Sequence, residues 1–291
     1  MQDIELHTKV RVPAMPFRLD FDAGIVSLGS CFSDEIGRRL QEGGFCIEQN
    51  PFGTLYNPAS IASALRRIMY DEEICEEDLV KHEGLWHSWH HHGSFSRPTA
   101  GECLSVCNNR IHQAHAALKN ASLLMVTFGT AWVYGLVANG GKTVANCHKL
   151  PQEIFVRRRM TVDEIVTLWQ PLLQELSTFN PQLSILFTVS PIRHIGDGLH
   201  DNQLSKGTLL LAVDQLASFS NTSLSYFPSY EIVLDELRDY RFYGPDMVHP
   251  SELAVEVVWQ RFREACMTPA VIQQAHNNMK QNKRLKHIPL H

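Results

Sequence analysis

Residues 24–40 read GIVSLGSCFSDEIGRRL. The run from Ile25 to Leu28 is too short for a helix and stops at Gly29, the pattern of a strand covered on both faces. The rhythm then changes. Ser33 is the expected helix cap, Asp34 and Glu35 fall in a first turn that favours negative charge, and Ile36 and Leu40 share a face. Gly43-Gly44 ends that helix. A strand, a tight turn and a helix in this order open an α/β fold. The turn carries two nucleophile types, Ser30 and Cys31, where free helix N–H groups favour an anion or a thiolate.

Working outward, the same alternation continues. "FCIE" (45–48) reads as a second strand, followed by a helix capped by Asn57 with Pro58 at its first position. "LLMVTFG" (123–129) and "LSILFTVSP" (183–191) are buried-strand segments. Between them Thr161 and Glu164 form a capping box for a helix running toward Leu176. A helix is predicted over 203–219, a last strand ending near Phe227, and a helix over 250–266 with an apolar stripe at 253, 254, 257, 258 and 262. Strands alternating with helices predict a mainly parallel sheet with helices on both faces, a three-layer α/β/α sandwich. Residues 85–96 and 132–149 break the alternation and read as β excursions at the rim, the second turning at Asn139-Gly140-Gly141. One domain over 1–267 is expected, followed by a polar, basic tail or helix over 268–291.

Composition narrows the function. The chain has 291 residues, 44% hydrophobic and 20% charged, which is ordinary globular usage. A net charge of -5 disfavours a nucleic-acid binder, which needs a dominant positive face. No apolar run reaches the roughly 18 to 20 residues of a membrane span, and residues 1–17 lack the order of a signal peptide, so no membrane partner and a cytoplasmic setting are expected. Seven scattered cysteines, an odd number, suggest reduced and mostly buried thiols. Cys103 and Cys107 have no partner pair at zinc spacing, so no structural metal is expected. The acidic stretch 71–80 reads as a solvated face.

The chemistry should gather where the strands end. Asp246 and His249 stand three apart in "GPDMVHPS", a spacing that lets a carboxylate hold one imidazole nitrogen and leave the other as a base. His87, His90, His91 and His92 lie in "WHSWHHHGSF". In an extended strand His90 and His92 share a face with His91 opposite, which suits an imidazole and indole rim on a substrate groove better than a metal site. His148, Arg193 and His194 follow predicted strands and are further pocket candidates, Arg193 for a carboxylate or phosphate.

Taken together, "LGSCFSDEIG", "NPFGTLYNP", "WHSWHHHGSFS", "TFGTAWVY", "VANCHK", "TVSPIRH" and "YRFYGPDMVHPS" resemble the GSCFA family, with Ser33 where the family name has alanine. The resemblance covers nearly all of residues 15–265. That family is similar to a branch of the SGNH, or GDSL-like, hydrolases, which implies a flavodoxin-like sheet. It also implies a nucleophile third in Gly-Asp-Ser, here Gly29-Ser30-Cys31, with Ser30 the alternative if the turn shifts by one residue. Asp246 and His249 match the superfamily's late Asp-x-x-His. Gly53 matches its second-block glycine. The Gly-x-Asn-Asp block falls on Gly129-Thr130-Ala131-Trp132 and lacks the Asn donor, leaving Gly129, the Thr130 hydroxyl and the Cys31 N–H for the oxyanion. The resemblance implies a cofactor-free hydrolase or acyltransferase acting on an acyl ester of a carbohydrate or other small hydroxylated molecule. A ligand-binding module that has lost this chemistry is the alternative.

Overall fold

The computed structural model describes residues 8–219 and 224–286. In chain order it runs β1 (Gly24–Gly29), α1 (Cys31–Glu42), β2 (Cys46–Gln49), α2 (Pro58–Tyr70), the hairpin β3 (Leu79–His82) and β4 (Leu85–Ser88), and α3 (Ala100–Lys119). Then come β5 (Leu123–Phe128), β6 (Trp132–Leu136), β7 (Lys142–Val144), β8 (Phe155–Arg159), α4 (Val162–Phe179), β9 (Ser184–Val189) and α5 (Leu199–Phe219). The chain closes with β10 (Leu224–Tyr226), the single turn α6 (Ser229–Glu231), α7 (Glu252–Cys266) and α8 (Pro269–Lys286).

The main sheet has the order β10-β9-β5-β1-β2, and every pairing in it is parallel. This is the flavodoxin-like order, whose crevice opens where the chain direction across the sheet reverses, between β1 and β5. Side chains alternate between two cores, as the pleat requires. Val26, Leu28, Leu124, Val126 and Phe187 pack under α2 to α5, whereas Ile25, Leu123, Met125 and Leu186 pack with Phe32 and Ile36 of α1 and Trp259 and Phe262 of α7. The sandwich is therefore three-layered, as expected. Among the described residues no helix is long and apolar enough to cross a membrane.

The turn after β1 depends on Gly29. Its φ is +152°, and a Cβ there would stand 2.4 Å from the Thr127 carbonyl oxygen. Gly29→Ala is expected to cost about 1–3 kcal/mol through overpacking against β5, read as a lowered urea midpoint at unchanged slope.

Several local expectations are corrected. The helix begins at Cys31 with Ser30 in the cap position, and Ser33 lies buried inside it. The chain turns at once after Gly29, so the first free N–H groups belong to Cys31 and Phe32 rather than to residues beyond Ser33. Helix α5 starts at Leu199, before residue 203. The stripe of α7 is rotated: Leu253 is 58% exposed, while Val255 and Trp259 are buried beside Ala254, Val258 and Phe262. Only Cys103, Cys107 and Cys266 are buried; all seven cysteines are free, and Cys46 and Cys75 are exposed. Within the acidic stretch Asp78 is drawn inward by Arg67 and His90.

Both excursions exist, with different extents. The first is a hairpin that ends at Ser88, so residues 89–96 are not strand. The second turns near Asn139 as predicted and gains a third strand, giving the antiparallel order β7-β6-β8. It leaves the core at Ala131 and returns at Met160, whose N–H donates to the Ala131 carbonyl at 2.9 Å. The polar segment after α7 is helical in α8, which docks on the end of α1 through Asn278 and Asn282. Residues 287–291 of the expected tail, and residues 1–7 of the N-terminal segment, lie outside the described residues.

Candidate active site

A cleft of about 840 Å³ opens at the carboxyl ends of β1, β5 and β9; Cys31, Tyr56, Asn57, Thr130, Arg193 and His249 are among the residues lining it. Trp132, Tyr134 and Arg157 of the antiparallel sheet line it as well. Cys31, the first residue of α1, places its Sγ 3.9 Å from His249 Nε2. His249 Nδ1 lies 2.6 Å from Asp246 Oδ2. Asp246 is itself held by its own turn, since its Oδ1 accepts the N–H groups of Val248 (2.9 Å) and His249 (3.0 Å). Those backbone donors, with the imidazole, push its pKa down to about 2. An ionised Asp246 fixes the proton of neutral His249 on Nδ1 and leaves Nε2 as an acceptor facing the thiol.

Ser30 does not share this position. It is 1% exposed, does not line the cleft, and its Oγ has no hydrogen-bond partner among the described residues. The Cys31 thiol has its pKa raised, first by burial and then by the Asp34 carboxylate. The N–H groups of Cys31 and Phe32, and more weakly Lys206, act the other way without prevailing. The helix-terminus argument for a preformed thiolate therefore fails here, and the thiol needs a base to take its proton.

A polar network fixes the turn. Asn50 Oδ1 accepts the Gly29 N–H at 2.9 Å, and Asn50 Nδ2 donates to Asp34 Oδ1 at 2.6 Å. Gln49 Nε2 reaches the same carboxylate oxygen at 2.9 Å. The next loop docks through the Tyr56 carbonyl, which accepts the N–H groups of Gly129 (2.8 Å) and Thr130 (2.9 Å). These two amides are consequently not free for an oxyanion, which corrects the role expected of Gly129. Thr130 lines the cleft, but its hydroxyl lies 3.1 Å from Ser205 Oγ and accepts the Trp132 N–H. Asn57 also lines the cleft; its Oδ1 caps α2 by accepting the Ser60 N–H at 2.8 Å, and its Nδ2 has no partner among the described residues. Asn57 thus brings an amide side chain to the cleft wall although the Gly129 block has no Asn.

Beneath the cleft lies Lys206 of α5, 1% exposed. Its Nζ donates to the carbonyls of Gly129 (2.6 Å) and Ser190 (2.7 Å), at the ends of β5 and β9. Burial pushes its pKa down to about 7, opposed only by the Cys31 charge when that forms. His194 lines the cleft with its ring edge-on to Tyr56 at 5.7 Å, and burial, with Lys206 nearby, lowers its pKa to about 4.

The histidine-rich segment lies elsewhere. None of His87, His90, His91 and His92 lines the cleft. His90 Nε2 pairs with Asp78 Oδ1 at 2.9 Å, and although burial pushes the Asp78 carboxyl up, His90 and Arg67 hold it well below the usual range. His91 is fully buried against the ring of Phe52, centroids 4.2 Å apart, and burial keeps it neutral. The expected groove rim is absent there because the chain leaves the strand after Ser88, so pleat alternation no longer assigns the faces. His148 is likewise a packing residue: its Nε2 donates to the Ser88 carbonyl at 2.8 Å, burial lowers its pKa to about 4, and the preceding residues 144–147 line the cleft while His148 does not. Gly53 has φ +73°, and a Cβ there would meet His92 Cβ at 2.4 Å, so it serves this packing rather than a ligand. Among the described residues no group of three or more His, Cys, Asp or Glu is arranged to hold a metal ion.

The site therefore belongs to an α/β protein carrying a Cys-His-Asp arrangement across the switch point of a flavodoxin-like sheet. The GSCFA family matches residues 24–262, and the chain is a member of that family. A comparison with curated proteins finds no match. Among solved structures the chain is similar to a GDSL-like lipase described as putative, from Parabacteroides merdae ATCC 43184, at 14% identity over 87% of this chain and 98% of that one, TM-score 0.44. It is also similar to a mutant acetyl-xylooligosaccharide esterase from Geobacillus Stearmophilus, at 11% identity over 85% and 96%, TM-score 0.42. A third is a carbohydrate esterase family 3 protein from Talaromyces cellulolyticus, at 9% identity over 88% and 99%, TM-score 0.39.

Proposed function

We propose that this protein is an SGNH-like hydrolase or acyltransferase in which Cys31 is the nucleophile, acting on an acyl ester of a carbohydrate or another small hydroxylated molecule. The observation that carries the reading is the line from Cys31 Sγ through His249 (3.9 Å) to Asp246 (2.6 Å). His249 Nε2 takes the thiol proton as Sγ bonds to the carbonyl carbon. The oxyanion finds the helix-terminal N–H of Cys31 and the Nδ2 of Asn57, preorganised donors each worth on the order of 100-fold in rate. Collapse breaks the ester C–O bond, and His249 returns its proton to the leaving alcohol oxygen. Water, or a second alcohol, then takes the acyl group from the thioester.

The test is the intact mass of the protein after brief exposure to an activated short-chain acyl ester. The wild type is expected to gain one acyl group on the peptide containing Cys31, and His249→Ala is expected to acylate about 100-fold more slowly or worse. No adduct and no turnover with a panel of such esters would sink the reading. The non-catalytic alternative draws on one observation, that the Gly129 and Thr130 N–H groups are already bonded to Tyr56. It predicts carbohydrate binding with Cys31 no more reactive than the other thiols.

A further inference from the structure

We propose that Arg193 forms an anion subsite on the leaving-group side of this cleft, so that the preferred substrates are acyl esters whose alcohol half carries a carboxylate or phosphate. The assignment to the leaving group rests on the acyl-transfer reading above. Two arginines line the cleft, and they differ in one respect. Arg157 lies over the Trp132 ring at 4.1 Å and is ion-paired with Asp197, the carboxylate that lines the cleft beside it. Arg193 meets no carboxylate among the described residues. Its guanidinium lies 4.2 Å from the Tyr243 ring centroid and 5.1 Å from that of Tyr240, with one long hydrogen bond of 3.4 Å to the Tyr240 hydroxyl.

Stacking of this kind fixes a planar cation while leaving most of its five N–H donors open. The rotamer freedom that a flexible arginine would lose on gripping a ligand is already reduced. Among the described residues no acid pairs with Arg193, so it serves no ion pair there. Its place in the cleft gives the direction. The Arg193 backbone N–H donates to the Val248 carbonyl at 3.3 Å, so the residue stands beside the base His249. That base returns its proton to the departing oxygen, which puts the alcohol half of the ester on the same side. A carboxylate or phosphate carried by that alcohol meets the open guanidinium.

The experiment compares acetyl esters of a neutral diol, of a hydroxycarboxylate and of glycerol phosphate, using wild type, Arg193→Met and Arg193→Lys. Wild type is expected to favour the charged esters through KM. In Arg193→Met the ratio of kcat/KM for charged over neutral ester is expected to fall about 10- to 100-fold, the range for hydrogen bonds to a charged group, with partial recovery in Arg193→Lys. The carboxylate and phosphate arms separate the two anion types. No preference in wild type, or an equal loss on all three esters in Arg193→Met, overturns the subsite. A second arm needs no turnover: inorganic phosphate or malonate should slow alkylation of Cys31 by iodoacetamide at mildly alkaline pH in wild type and not in Arg193→Met. If no ester acylates the protein yet this protection appears and depends on Arg193, the acyl-transfer reading fails and the anion site stands. If acylation occurs without protection or charge preference, the site fails and the reading stands.

Discussion

Cys31→Ala is expected to abolish acyl transfer, with a rate loss of about 10⁴-fold or more, as when a triad nucleophile is removed, while Ser30→Ala still acylates. The contrast follows from where the two side chains lie. The Cys31 thiol faces His249 in the cleft, and the Ser30 hydroxyl is enclosed with no base in reach. Because burial and Asp34 raise the thiol's pKa, the reactive fraction grows as pH rises, and the acylation rate of wild type should climb on the alkaline side of neutrality rather than stay level. The measurement is the rate of acyl mass gain against pH for wild type and both variants. Loss of acylation in Ser30→Ala with retention in Cys31→Ala would reverse the assignment.

Lys206→Met is expected to lower the stability of the fold by about 2–5 kcal/mol. Two effects oppose each other. Removing a buried charge is often neutral or stabilising when an apolar group of similar size replaces it. Here the substitution also strands the Gly129 and Ser190 carbonyls, each costing about 1–3 kcal/mol when buried without a donor. With the pKa already pushed down to about 7, the charge at neutral pH is only partly present, so the stranded carbonyls decide the sign. The pH dependence has a definite direction. The folded pKa lies below the unfolded lysine value, so between about 7 and that value the unfolded chain binds more protons and wild-type stability rises with pH. The gap to Lys206→Met should widen across this window in urea titrations at two pH values. A variant as stable as wild type at both would show that Lys206 does not tie β5 to β9.

Much of the architecture is written locally in the sequence. The apolar runs of β1, β5 and β9, the Asn57-Pro58 start of α2 and the Thr161–Glu164 capping box each need only their neighbours. Asp246 and His249 are legible for the same reason, since one turn sets their geometry. What escaped depends on distant partners. Ser30 and Ser33 are equally good caps on paper, and only the turn against Thr127 selects the first. The segment of β8, Phe155 to Arg159, carries three arginines in five residues and lies outside the predicted excursion; it is a strand because it pairs with β6, where Arg157 finds the ring of Trp132. Lys206 falls within the predicted helix over 203–219, and nothing before the carbonyls of Gly129 and Ser190 are placed shows that it is buried. In the sequence Asn57 reads as a cap alone, though an amide can cap with its oxygen and offer its nitrogen elsewhere.

The meeting of Ala131 and Met160 bears on how such a protein diversifies. The proposed Cys31, His249 and Asp246 chemistry is anchored to the parallel sheet, whereas Trp132, Tyr134 and Arg157 of the cleft wall belong to an excursion that leaves and rejoins the core at Ala131 and Met160 and rests on the first hairpin's exit through the Ala145 N–H to the Trp89 carbonyl. The spacing of β5 and β9 is set by their own pairing, outside that excursion. On the acyl-transfer reading, that part of the wall can vary apart from the reacting groups, whereas Arg193 stays on the core segment beside His249 and is inherited with them.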